Sequence, residues 1–204
     1  MRGKVVNKLI NYIKSNKTID KETEEKLIYG LEAIYILVTK LLFISILALI
    51  LGIFKEMIIF TIIFSIIRLF AFGLHATKSY ICLIVSSIAF LLIAYLSTTI
   101  EFNTIIKIII GLLCTLLIFI HSPADTYKRP IINKNRRLRL KLTSTFISIT
   151  YVIISLFINN FISNCLLFSL LLEVIFISPL TYKVFKLPYN NYLKYLERDE
   201  LNVC

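Results

Sequence analysis

Two residues in the stretch GLHATKSYIC, His75 and Cys82, are of types that carry out nucleophilic chemistry. A thiol is mostly protonated at neutral pH, and a nearby imidazole can accept its proton or stabilise the thiolate, which creates a nucleophile for acyl transfer. The pair is therefore a candidate catalytic dyad. The alternative is that both are packing residues, since a cysteine within an apolar run and a histidine beside one are common without any chemistry.

The spacing of the two residues restricts the fold. Seven residues of straight helix separate two side chains by about 10 Å along the axis, whereas a hydrogen bond needs about 3 Å. The dyad therefore requires a turn in the chain or a second subunit. Gly73 can end one helix, and Thr77 or Ser79 can cap the next. Cys82 would then lie in the first turn of that helix, where the helix dipole lowers the pKa of a thiol.

The elements that position these residues are predicted to be membrane-spanning helices. Hydrophobic residues make up 58% of the 204 residues, against about 45–50% in soluble domains, and long runs are almost free of charge. We predict an all-α, polytopic integral membrane protein with six transmembrane helices over residues 34–54, 57–74, 81–100, 104–121, 143–160 and 164–182. Span 2 has to continue past Arg68, because its uninterrupted part is too short to cross a bilayer.

The predicted domains follow from the same pattern. Residues 1–33 are predicted to form a cytoplasmic or interfacial segment, in which an amphipathic helix is followed by a helical stretch that begins near Asp20 and can run directly into span 1. Residues 34–182 form the six-helix domain, and residues 183–204 form a cytoplasmic tail.

The distribution of positive charge predicts the orientation. The net charge is +11, and twenty of the 23 Lys and Arg residues lie in the N-terminal segment, the junction of spans 2 and 3, the loop after span 4 and the C-terminal tail. Positive loops stay in the cytoplasm, so both termini and the His75–Cys82 stretch are predicted on the cytoplasmic face. The chain has no nucleotide-binding or RNA-binding motif, and its cysteines lack metal-ligand spacing. No nucleic acid, metal or cofactor is expected.

Several other residues have open roles. Glu173 lies within span 6, where an ionisable group is often functional; it could pair with Lys107 or Lys40, or line a substrate cavity. Asp125 could orient an imidazole, although a capping role at the interface is favoured. His121 is an alternative base.

Three stretches resemble the AgrB (accessory gene regulator protein B) family. RLFAFGLHATKSYIC is similar to its central motif, in which Gly-x-His-Ala is followed by a cysteine seven residues after the histidine. SPADTYKRPI and EVIFISPL are similar to two supporting stretches of the family. The chain differs from some relatives at Phe72, where they carry a smaller or polar residue.

The resemblance implies a membrane-embedded cysteine endopeptidase that processes an AgrD-like propeptide in bacterial quorum sensing. Cys82 would be the nucleophile and His75 its base. The cleavage would give an acyl-enzyme thioester, which a thiol or hydroxyl of the propeptide displaces to close a thiolactone or lactone ring. Membrane lipid and a homodimer are the other expected partners. The side chains expected to contact substrate are those of Arg68, Ser79, Arg136, Arg137 and Glu173.

A second hypothesis is a non-enzymatic peptide transporter or channel component in the bacterial cell membrane. Glu173 and Lys107 would then lie along a pathway, and His75 and Cys82 would be packing residues. The two hypotheses differ in whether a covalent adduct with the propeptide forms on Cys82.

Overall fold

A computed structural model of the chain describes residues 2–16, 19–74, 79–126, 130–158, 160–193 and 195, without the side chains of residues 2, 4, 22 and 79–82. Within these ranges the chain forms α-helices and no strand, which confirms the all-α prediction. It divides into two units, Met1–Leu51 and Gly52–Cys204.

The first unit is a pair of helices, α1 (Arg2–Asn16) and α2 (Lys21–Ile50), that pack on each other. Along α1, Val6 and Ile10 are buried whereas Lys8 is exposed, so the predicted amphipathic helix is confirmed. Asp20 caps α2 by accepting a hydrogen bond from the backbone N–H of Thr23. From this cap α2 runs without a break into the first predicted span, as the sequence indicated.

The second unit is built around one apolar helix. Its elements are α3 (Phe54–Ala71), α4 (Ser79–Thr99), α5 (Thr104–His121), α6 (Lys134–Phe157), α7 (Phe161–Ile177) and the short α8 (Pro179–Val184). Helix α7 packs against α3, α4, α5 and α6, and its apolar residues are distributed around its whole circumference. It is therefore the centre of the unit.

The outer surfaces of the helices are apolar. Large side chains such as Leu112, Leu116, Phe146 and Ile153 are exposed on α5 and α6. Helices α2, α5 and α6 are long and apolar enough to cross a membrane, and α4 and α7 contain shorter apolar stretches. The chain is therefore a membrane protein, while six crossings and the positions of the termini remain predictions.

Four predicted span ends and one predicted loop are wrong. Span 1 ends at Ile50 rather than at residue 54, and span 5 ends at Phe157 rather than at residue 160. Span 2 continues past Arg68 but ends at Ala71 rather than near Leu74, because Phe72 and Gly73 have φ angles of 61° and 112°. The last span ends at Ile177, and Pro179 starts α8 as its first residue, where its missing N–H costs nothing. The basic residues from Lys134 onward lie on α6, not in a loop.

Small and polar side chains join α5 to α6. The hydroxyls of Thr115 and Ser148 lie 2.7 Å apart, as do those of Ser122 and Ser144. Small residues let helix backbones approach closely in membranes, and hydroxyl pairs add hydrogen bonds across the interface. These contacts fix the position of the connection between α5 and α6 relative to the bundle.

Candidate active site

The two residues of the candidate dyad come from the α3–α4 connection and from the start of α4. Helix α3 ends at Ala71, residues 72–74 are not helical, and α4 is described from Ser79. A helix break is therefore present at residues 72–74, within the stretch where the sequence predicted it, whereas the chain between His75 and Ser79 is not described. Cys82 is the fourth residue of α4, within its first turn. His75 and the side chains of Ser79 and Cys82 lie outside the described residues, as do the capping roles predicted for Thr77 and Ser79.

The backbone that leads to His75 is held from two sides. The Gly73 N–H donates to the carbonyl of Ala124 at 2.8 Å, and the Ala124 N–H donates to the carbonyl of Ala71 at 3.0 Å. These bonds form a parallel bridge between Phe72 and Ala124. On the other side the Leu74 N–H donates to the carbonyl of Phe176 in α7 at 3.0 Å. The residues immediately before His75 are therefore fixed to the loop after α5 and to the end of α7.

A buried ion pair completes this support. Arg68 Nη1 lies 3.3 Å from Oε1 and 3.4 Å from Oε2 of Glu173, whose side chain is fully buried. Arg68 Nη2 donates to the carbonyl of Leu74 at 2.7 Å, and the guanidinium lies over the ring of Phe176. The partner of Glu173 is thus Arg68, whereas Lys107 donates to the carbonyls of Ser155 and Ile158 near the other end of the bundle.

Gly73 has no room for a side chain. A Cβ at this position would lie 2.3 Å from Arg68 Nη1 and 2.9 Å from the carbonyl oxygen of Phe176. Its φ of 112° is also a conformation that other residues rarely adopt. Both the close packing and the backbone angle therefore require glycine before His75.

Asp125 anchors the segment that follows α8. Its carboxylate is buried and accepts the backbone N–H groups of Asn191, Tyr192 and Ile131 at 3.0, 2.9 and 3.4 Å. The hydroxyl of Tyr182 donates to the Asp125 carbonyl at 3.0 Å. The favoured capping role of Asp125 is confirmed, with the difference that it caps a distant segment as well as its own loop.

We expect Asp125→Ala to release this C-terminal segment. Loss of a carboxylate leaves its backbone N–H partners without an acceptor, and hydrogen bonds to charged groups are worth about 1.5–3 kcal/mol each. Trypsin cleavage after the exposed Lys186 should be at least about tenfold faster, since proteolysis follows the population of the open form. Mass spectrometry of the fragments measures it. Asp125→Asn should be intermediate, and Glu101→Ala, which removes an exposed carboxylate, should match the wild type; an unchanged rate in Asp125→Ala would contradict the anchor.

A basic cleft lies beside this anchor. It has a volume of about 570 Å³ and is lined by His121, Lys134, Arg137, Lys141 and Tyr189, among others. His121 Nδ1 lies 3.1 Å from the hydroxyl of Tyr189. Burial raises the pKa of Tyr189 above its usual range, so this hydroxyl keeps its proton and can donate to the imidazole.

The remaining predicted site residues fall in different places. Arg136 is exposed on α6, whereas Arg137 is largely buried, with its guanidinium 3.5 Å from the ring centroid of Tyr192 and 3.9 Å from the carboxylate of Asp125. The structure therefore joins Arg68 and Glu173 to the backbone before His75, and Arg137 to the Asp125 anchor. The sequence predicted no role for Ala124, although it lies in the SPADTYKRPI stretch, and none for Asn191, because both act here through backbone hydrogen bonds that do not depend on residue type.

Comparison with known proteins identifies the family. The family model described as accessory gene regulator B matches residues 6–177. A putative AgrB-like protein of Clostridium acetobutylicum is 35% identical over 96% of this chain and 97% of its own length. One from Listeria innocua is 33% identical over 86% and 87%, respectively. The accessory gene regulator protein B of Staphylococcus epidermidis is 27% identical over 87% and 91%. No solved structure matches.

The matched residues include the α3–α4 connection. They also include the two elements that hold the backbone before His75, namely helix α7 and the loop that follows α5. The chain belongs to the accessory gene regulator B family.

Proposed function

We propose that this chain is a membrane-embedded cysteine endopeptidase that cleaves an AgrD-like propeptide in quorum sensing. Membership of the family links the chain to accessory gene regulation, and the candidate dyad supports the finer assignment. The observation that carries it is the fixed backbone of residues 72–74. These hydrogen bonds satisfy buried backbone groups, as any buried connection requires, and they also hold the backbone that leads to the proposed base, which is what a catalytic imidazole needs to stay in one place.

The proposed reaction uses one proton carrier. His75 accepts the proton of the Cys82 thiol, and the thiolate attacks a peptide carbonyl of the propeptide. The C–N bond breaks, and the imidazolium returns the proton to the amine of the departing C-terminal tail. The product is a thioester between Cys82 and the N-terminal part of the propeptide.

Ring closure reverses these roles. A thiol or hydroxyl inside the propeptide gives its proton to His75 and attacks the thioester carbonyl, and the Cys82 thiolate leaves and is reprotonated. Exchange between two thioesters is nearly balanced in energy, whereas hydrolysis is strongly downhill, so the site must exclude water. A position at the membrane boundary serves this requirement.

The substrate contacts are revised by the observed geometry. Arg68 and Glu173 use their charged groups on each other and on Leu74, so we assign them as positioning residues rather than substrate ligands. Arg136 is exposed and can attract an acidic propeptide tail. Ser79 stays a proposed contact at the start of α4. We place the site at the cytoplasmic face, where the basic residues gather, and we retain the homodimer as an expectation from the family.

The test is direct detection of the thioester. The full chain is reconstituted in liposomes with a synthetic propeptide that has an internal cysteine and an acidic C-terminal tail. Intact-mass spectrometry should show an adduct equal to the N-terminal fragment, which hydroxylamine removes because it cleaves thioesters. Uptake of intact propeptide without any adduct would support the transporter hypothesis instead.

A further inference from the structure

The basic cleft lies at one end of two membrane helices. His121 is the last residue of α5 and Lys134 is the first residue of α6, and both line the cleft together with Arg137 and Lys141. Among the described lining residues none is acidic; Asp125 lies 3.9 Å from Arg137 and offsets part of that charge. Lys134 and Lys141 therefore give the cleft a positive potential that suits an anion.

An apolar surface continues from the cleft along the same two helices. Phe119 and Ile120 on α5 are 45% and 54% exposed, and Leu138 and Leu142 on α6 are 55% and 53% exposed. Lys141 lies over the Phe119 ring, with its Nζ 4.7 Å from the ring centroid. The ammonium group is therefore at the boundary between the basic cleft and the apolar surface. A soluble anion would use only the charged part of this arrangement.

A ligand that matches both parts has an anionic head and apolar tails. We propose that the cleft binds an anionic phospholipid, with its phosphate between Lys134 and Lys141 and its acyl chains along Phe119, Ile120, Leu138 and Leu142. Basic groups at membrane boundaries attract anionic headgroups, and exposed apolar helix faces contact acyl chains. None of the described lining residues belongs to the α3–α4 connection, and lipid binding at the cleft does not depend on peptidase activity.

The experiment compares two double variants of the full chain in neutral nanodiscs of phosphatidylcholine. Lys134→Gln with Lys141→Gln removes two cleft charges. Arg136→Gln with Arg139→Gln removes two charges from exposed positions of the same helix that do not line the cleft. Phosphatidylglycerol is titrated into each, and the bound lipid is counted by native mass spectrometry after ejection from the nanodisc.

We expect the cleft variant to lose phosphatidylglycerol affinity by about tenfold or more, since each basic group near a headgroup contributes substantially to binding, and the control variant to change less than about twofold. Equal losses in both variants would overturn the proposal, because they would indicate general charge attraction. Inorganic phosphate that displaces the lipid at equal concentration would indicate a free-anion site. Displacement by a soluble Asp-rich and Glu-rich peptide would indicate a peptide site.

Discussion

Cys82→Ala is expected to reduce propeptide cleavage by at least about 10⁴-fold, because removal of a catalytic nucleophile leaves only binding and electrostatic effects. The acyl-enzyme adduct should disappear with it. Cleavage is measured from the released C-terminal tail by mass spectrometry. Cys114→Ala is the matched control: that thiol is buried in α5, so this variant should form adduct and product. Cleavage that survives in Cys82→Ala would refute the proposed mechanism.

His75→Ala is expected to lower the rate by about 10²–10⁴-fold, the usual contribution of a general base. The loss should depend on pH in a defined direction. Without the imidazole, the thiolate forms only as the pH approaches the ordinary thiol pKa of about 8.5. The activity of the variant should therefore rise with pH toward that value, while the wild type reaches its plateau at lower pH. An unchanged pH profile would show that His75 is not the base.

Gly73→Ala is expected to reduce the catalytic rate by at least about 10²-fold, which is the scale of a 1 Å misplacement of a catalytic group. The new Cβ cannot be accommodated unless Arg68 or the α7 backbone at Phe176 moves. Because the displaced part carries the base, kcat should fall while KM for the propeptide stays within about threefold. Gly52→Ala is the matched control, since Gly52 has a φ of 70° but no atom within 4 Å of its Cβ position.

A second measurement separates positioning from general damage to the fold. The rate of Cys82 alkylation by iodoacetamide reports the thiolate, so its pH dependence reports the pKa of the thiol. In Gly73→Ala that pKa should rise toward the value of a free thiol, and in Gly52→Ala it should match the wild type. Glu173→Gln should act in the same direction, since loss of the ion pair weakens the hold of Arg68 on the Leu74 carbonyl and thus on the backbone before His75. An unaltered thiol pKa in Gly73→Ala and Glu173→Gln, despite lost cleavage, would contradict the positioning role.

The sequence predicted the helices better than it predicted the contacts that hold the candidate site in place. The apolar runs predicted the helices, and Asp20 predicted where α2 begins. Both signals are local properties of the sequence, the first a hydrophobic pattern and the second a cap. The break before Ser79 followed from the length of a helix between His75 and Cys82. The stop at Ile177 was missed, since the apolar pattern continues beyond Pro179, and proline fits the first turn of a helix as well as the position after its end.

The pairing of Arg68 with Glu173 could not be derived from the chain alone. Lys107 and Lys40 were the partners considered for Glu173 on charge alone, whereas the observed partner is Arg68, because α3 and α7 pack against each other. Asp125 was recognised as a cap, but its partners Asn191 and Tyr192 lie far along the chain. Backbone hydrogen bonds of this kind leave no pattern of residue types, so only the folded structure shows them.

The short loop after α5 has a consequence for how this family can change over time. Ala124 pairs with the backbone on either side of Phe72, and Asp125, the next residue, holds the segment after α8. An inserted residue between His121 and Asp125 would shift one of these contacts out of register. We therefore expect the length of this loop to be retained together with the α3–α4 connection, even where side chains that make none of these contacts vary. The open turn at Gly52 can be lengthened without such a constraint.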